Sequence, residues 1–162
     1  MRTLASLAVI LILSSTSAYA EGWPTWGGAP GGSKYSPLDQ INRDNVKDLE
    51  IAWTYRTGDF EGPMGRYGNS FGLQAVPILL PEEAGGHLVL CNPFWKVIAL
   101  DPLTGEVQWE MDPEVEKGLR DLQYKCRGVA QWHNTEAASG SLCEYTIIQV
   151  TGDRRIFAMD AR

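Results

Sequence analysis

A chain of 162 residues with 20 acidic and 14 basic side chains, net −6 at pH 7, is long enough for one ordinary domain and not for two. Its basic residues are scattered rather than clustered, which excludes a dedicated surface for nucleic acid or for an anionic membrane. Three cysteines, an odd number, allow at most one intramolecular disulfide.

The chain begins with Met1-Arg2, an apolar run from Leu4 to Leu13 and small residues ending in Ala18-Tyr19-Ala20. This is the pattern of a secretory signal peptide (residues 1–20) cut after Ala20. The apolar run is too short to span a bilayer, and no cysteine stands at the expected cut to carry a lipid. The sequence therefore predicts a soluble mature protein, periplasmic or secreted, in an oxidising compartment; association with a membrane is left open. In that compartment Cys91, within the run Leu88-Val89-Leu90-Cys91, reads as a buried thiol. Cys126 and Cys143 flank a polar loop and are the pair expected to form the disulfide.

From Gly22 to Pro37 the chain is rich in Gly and Pro, with Trp23, Trp26 and Tyr35 interspersed, which predicts an irregular leading segment pinned by aromatic side chains. Gly27-Gly28 and Gly31-Gly32 follow no predicted strand and lack the Lys-Ser/Thr of a phosphate loop. Asn42 is placed to cap a short helix through Leu49, with Asp44 in its first turn. Residues 50–57 then alternate as a half-buried strand around Trp53 and Tyr55, closed by Gly58-Asp59.

After a Gly-rich loop (residues 60–72), four strand-like runs follow at 73–80, 87–91, 96–101 and 106–111, separated by segments rich in Pro, Gly and Asn. Four short antiparallel strands in succession make one sheet, and such sheets set radially make a β-propeller. A second set starts near Arg127–Trp132, resumes at Tyr145–Thr151 and reaches Arg155–Asp160. Val97-Ile98-Ala99-Leu100-Asp101 is echoed by Ile156-Phe157-Ala158-Met159-Asp160 roughly 60 residues on, the spacing of a structural repeat. The fold class expected is thus all-β, with one complete blade and one partial blade. Because two units cannot close a ring and Asp160 is not followed by a turn like that after Asp101, we expect the chain to be truncated at its C-terminus.

The segment from Ala99 to Trp109 has the pattern Ala-x-Asp-x-x-Thr-Gly-x-x-x-Trp, carried by Ala99, Asp101, Thr104, Gly105 and Trp109. Thr104-Gly105 provides a tight turn, and Trp109 offers a flat face for packing between blades. This resembles the tryptophan-docking motif of quinoprotein propellers. A wider resemblance is to the glucose/quinate branch of the pyrroloquinoline-quinone (PQQ) dehydrogenases. It is carried by Trp23-Pro24-x-x-Gly27-Gly28, Tyr35-Ser36-Pro37-Leu38-x-Gln40-Ile41-Asn42, Asn45-Val46-x-x-Leu49, Ala52-Trp53-x-x-Arg56-Thr57-Gly58-Asp59 and Cys126-Arg127-Gly128-Val129. The vicinal Cys-Cys pair of some alcohol-oxidising quinoproteins is absent.

The resemblance implies an eight-bladed propeller, bound PQQ, a divalent ion such as Ca²⁺, and oxidation of an alcohol, polyol or aldose with electrons passed to a quinone or cytochrome. It places Arg127 in the PQQ pocket. Where glucose-type members carry a pocket His this chain has Gln123, and where they carry a Glu before the Ala/Val-x-Pro step it has Gln74. Both substitutions keep hydrogen-bonding capacity and remove a titratable group. The family's general base, main metal ligands and PQQ-stacking Trp belong to later blades, so no catalytic residue is assigned here and the chain by itself is expected to be inactive. His87 and His133 receive no role, and Asp112, Glu114 and Glu116 read as a solvated turn after Trp109. The competing readings are a noncatalytic propeller scaffold of the cell envelope, and a short chain that closes a ring by assembling with copies of itself.

Overall fold

The computed structural model of the protein describes residues 22–28, 31–59, 72–116 and 124–162; the expected signal peptide lies outside these residues. Seven strands form two antiparallel sheets. The first has the order β1-β2-β3-β4, with β1 at Ile78–Leu79, β2 at Leu88–Cys91, β3 at Val97–Leu100 and β4 at Val107–Met111. The second has the order β5-β6-β7, with β5 at Ala130–His133, β6 at Tyr145–Val150 and β7 at Ile156–Asp160. Each strand pairs with its neighbour in sequence, the up-and-down order of a propeller blade, and the all-β expectation is borne out.

The first blade is held by its two central strands. All four residues of β3 are buried, as are the last three of β2, so this part of the sheet is covered on both faces. Full burial of such aliphatic side chains contributes about 1.5–3 kcal/mol each. β1 is shorter than the run of residues 73–80 suggested. Pro77 has no N–H to give, and the preceding Val76 N–H is donated instead to the Arg127 carbonyl, ahead of β5, at 3.2 Å. The leading segment reaches β1 through Trp23, whose N–H and carbonyl both pair with Leu79, at 2.8 and 2.9 Å.

The turn between β3 and β4 is built by Asp101. Its Oδ1 accepts the N–H groups of Leu103 (2.7 Å) and Thr104 (2.9 Å), while its carbonyl accepts from Gly105 (2.9 Å). Gly105 has φ +74°, and a Cβ there would lie 2.5 Å from the Trp53 ring, so both backbone and packing require glycine. Ala99 faces Trp109 across the β3–β4 pair, with the register shifting beside it. Trp109 packs against the cluster of Ile78, Val89, Tyr145, Ile147 and Ala161, which draws on both sheets, and its Nε1 donates to the Ala161 carbonyl at 3.3 Å.

The same relation appears one unit earlier. Trp53 Nε1 donates to the Pro102 carbonyl at 3.1 Å, and Pro102 follows Asp101 as Ala161 follows Asp160. Trp53 and Tyr55 pack on Leu90, Ile98 and Leu100, and Tyr55 Oη donates to Glu110 at 3.1 Å. Residues 50–57 therefore have the expected alternation, but they form no ladder. The correction has a physical reason: their side chains cover the first blade, and no strand among the described residues lies beside their backbone.

Two further expectations are corrected. The helix from Asn42 to Leu49 is only a 3₁₀ turn at Val46–Asp48. The two Asn side chains bond backbone groups of the segment: Asn42 N–H donates to Asn45 Oδ1 (2.8 Å), and Asp44 N–H donates to Asn42 Oδ1 (3.0 Å), closing it into a turn. The disulfide is not Cys126–Cys143 but Cys91–Cys126, with Cα atoms 5.9 Å apart; Cys143 is exposed and free. Register explains this. Ala130 pairs with Ile148 and His133 with Tyr145, so Cys126 lies toward the Val150 end of β6 and Cys143 toward its Tyr145 end. The six residues of β6 separate the two by about 20 Å.

Candidate functional site

An open cleft of about 850 Å³ lies where the leading segment, the approach to β1 and the approach to β5 meet. Its walls include Trp26, Gln74, Trp95, Lys125, Cys126, Arg127 and Gly128, with Ile148 and Val150 of β6 behind them. The volume is within the usual range of small-molecule sites, ~300–1,000 Å³.

Each wall has a local cause. Trp26 is carried by the leading segment that Trp23 fastens to β1, and Lys34 sits 3.9 Å over its ring. Trp95 belongs to the turn from β2 to β3, where Asn92 is the organiser. Asn92 Oδ1 accepts the N–H groups of Phe94 (3.0 Å) and Lys96 (2.9 Å), and its Nδ2 donates to Asp59 Oδ1 at 2.8 Å. Trp95 itself has φ +64° and is almost wholly buried, with its ring 5.9 Å from that of Tyr124.

Arg127 lies in the irregular run before β5. Lys125 and Arg127 both line the cleft, while the intervening Cys126 is buried with Cys91, Phe94, Trp95, Val115 and Tyr124. Gly128 has φ +148°, and a Cβ there would stand 3.4 Å from the Val76 carbonyl, in a backbone region that side chains rarely adopt.

The structure brings Gln74 and Arg127 together on this cleft; Gln123 lies outside the described residues. The sequence alone assigned none of Lys125, Trp26 and Trp95 to this site; Trp26 was expected only to pin the leading segment. A signal for Lys125 was present in its closeness in sequence to Arg127, whereas the two tryptophans come from segments roughly 100 and 30 residues away and carry no local signal. None of the described lining side chains is acidic, so two cations face no counter-charge within the wall. A flat polycarboxylate fits that donor set: cationic and amide groups for carboxylates, and indole faces for a planar ring.

The remaining candidates lie elsewhere. His133 stacks on Tyr145, with centroids 4.2 Å apart. His87 lies near Asp101, and burial lowers its pKa. Asp112, Glu114 and Glu116 are exposed, and Asp112 Oδ1 accepts the Glu114 N–H at 2.8 Å. Among the described residues no group of three or more His, Cys, Asp or Glu side chains is placed to hold a metal ion.

Comparison with known proteins agrees with this architecture. The chain is 33% identical over 150 residues to quinoprotein glucose dehydrogenase A of Acinetobacter calcoaceticus, covering 86% of this chain and 18% of that protein. It is 38% identical over 156 residues to the 1-butanol dehydrogenase (cytochrome c) of Thauera butanivorans, covering 94% of this chain and 19% of that one. Among solved structures, the quinohemoprotein alcohol dehydrogenase of Comamonas testosteroni superposes with a TM-score of 0.63 at 28% identity, over 90% of this chain and 19% of that one. The chain thus spans about a fifth of the length of these relatives. Residues 23–162 match the model of the PQQ glucose/ethanol/alcohol dehydrogenase β-propeller domain, and the chain belongs to that family.

Proposed function

We propose that this chain is the N-terminal part of an exported PQQ-dependent dehydrogenase that oxidises an alcohol, polyol or aldose and passes the electrons to a quinone or cytochrome. It supplies one complete blade, most of a second, and one wall of the cofactor cleft. The observation that carries this reading is the pairing of Lys125 and Arg127 on a cleft with no acidic lining among the described residues. The signal-peptide pattern at residues 1–20 supports export to the periplasm. The short span relative to the relatives supports further blades beyond residue 162.

When bound, PQQ supplies the two-electron acceptor chemistry; the protein's part is binding, orientation and exclusion of water. Arg127 binds a cofactor carboxylate through its guanidinium fork, and Lys125 adds a second positive charge. Gln74 holds a ring or carboxylate oxygen through its amide N–H. Trp26 and Trp95 keep water from the faces of the cleft. The base that takes the substrate hydroxyl proton and the Ca²⁺ ligands would come from residues beyond this chain.

The test is reconstitution. The polypeptide from the complete reading frame, freed of cofactor and supplied with PQQ and Ca²⁺, should reduce an artificial dye with at least one compound from a panel of alcohols, polyols and aldoses. A folded protein that neither binds PQQ nor reduces dye would favour the noncatalytic scaffold.

A further inference from the structure

The cleft depends on one short stretch of chain. Residues 124–129 lie between β4 and β5 and belong to neither sheet, yet they carry both cations of the wall. Noncovalent contacts hold this stretch: Tyr124 and Cys126 are buried among Phe94, Trp95 and Val115, with the Tyr124 ring 5.2 Å from Phe94 and 5.9 Å from Trp95. Val76 N–H donates to the Arg127 carbonyl at 3.2 Å, Tyr124 Oη to the Glu116 carbonyl at 3.4 Å, and Gln149 Nε2 to Cys126 Sγ at 3.3 Å.

The covalent tie is of another order. Cys91, the last residue of β2, is fully buried and immediately precedes Asn92, which organises the Trp95 turn. Cys126 immediately precedes Arg127 and is itself buried. The bond closes a separation of 35 residues and joins two segments that line the cleft.

We propose that the Cys91–Cys126 disulfide is the positioning element of the cofactor site: it sets Lys125 and Arg127 against Trp95 so that the cleft is formed before PQQ enters. Ordering the stretch in advance removes an entropic cost that binding would otherwise carry. The inference rests on the assignment of Arg127 to the cofactor.

A double-mutant cycle in the full-length protein separates positioning from general stability. PQQ affinity is measured by fluorescence titration, with Ca²⁺ present, for the unaltered protein, for Cys91→Ala/Cys126→Ala, for Arg127→Ala and for the combined variant. Loss of the disulfide should weaken PQQ binding about tenfold when Arg127 is present and less than about twofold when it is absent, because the bond acts through that side chain. An unchanged affinity, or the same loss with and without Arg127, overturns the proposal.

Should the cysteine variant fail to fold, trypsin gives a second test on the unaltered protein, since Lys125 and Arg127 are its cleavage sites. With the disulfide intact, cutting after these residues should be equally slow with and without PQQ. Rapid cutting that PQQ suppresses would mean that the cofactor, not the disulfide, orders the wall. If the disulfide-intact protein binds no PQQ in the titration, it is the Arg127 assignment that fails.

Discussion

Replacing Gly105 with alanine measures the contact that joins residues 50–57 to the first blade. Two costs are expected. At φ +74° any side chain occupies the left-handed region, which costs about 1–2 kcal/mol. The new Cβ would also lie 2.5 Å from Trp53 Cε3 and 2.6 Å from Cδ2, so the indole must lift away. Lifting breaks the hydrogen bond to the Pro102 carbonyl, worth ~1 kcal/mol. It also exposes on the order of 100 Å² of ring, half of a tryptophan's usual burial, or ~2.5 kcal/mol. Gly58 provides the control: its φ is +73°, but a Cβ there meets none of the described residues within 4 Å. Gly58→Ala should therefore cost only the backbone part, and Gly105→Ala about 3 kcal/mol more. Urea unfolding of the full-length protein, followed by tryptophan fluorescence, gives both values. In a Trp53→Ala background the difference should vanish. Equal losses for the two glycine variants with Trp53 present would refute the docking of Trp53 on this turn.

Other outcomes follow from single sites. The Asp101 carboxyl is held below the usual carboxylate range by the N–H groups of Thr104 and then Leu103. Its stabilising contribution is therefore present above the unfolded value near 3.8 and is lost as pH falls through the lower folded value; in Asp101→Asn the acid limb of a stability–pH curve should lose that component. Asn92→Ala removes one side chain that makes three hydrogen bonds at a buried turn and should destabilise by about 3 kcal/mol, with a weakened PQQ titration as Trp95 shifts. Of the three cysteines of this chain, a thiol reagent should modify only Cys143 in the native, unreduced protein, and a peptide map should recover Cys91 linked to Cys126. A recovered Cys126–Cys143 peptide would contradict the register of β5 on β6. Tyr55 should ionise at about 12, raised by burial and then by its hydrogen bond to Glu110, and the ultraviolet titration of Tyr55→Phe should lack that step.

Much of the blade was legible because its signals are local. Alternation and turn residues place β2, β3 and β4 within a residue of where they lie, and Asp101, Thr104 and Gly105 specify their turn through contacts no more than five residues apart. The alternation of residues 50–57 was equally visible, but which backbone lies beside a strand is a property of the whole sheet and cannot be read from the strand itself. The disulfide failed for a related reason. Two cysteines flanking a loop suggest a bridge, yet the antiparallel pairing of β5 with β6 sends Cys126 and Cys143 to opposite ends, and the buried position that made Cys91 look like a lone thiol is where Cys126 meets it, among Phe94, Trp95, Val115 and Tyr124. In the cleft, Gln74 and Arg127 were found through resemblance. Lys125, Trp26 and Trp95 join them only because three segments distant in sequence converge on one space, and no periodicity records that convergence.

The central claim is that Arg127 and its neighbours form one wall of a PQQ site. Its most direct test is a PQQ titration of the cofactor-free, full-length protein beside its Arg127→Ala variant, with folding checked by circular dichroism. Loss of one charge-assisted pair should weaken binding by about 1.5–3 kcal/mol, on the order of 10- to 150-fold, with the fold intact. Equal affinities in the two proteins would contradict the account.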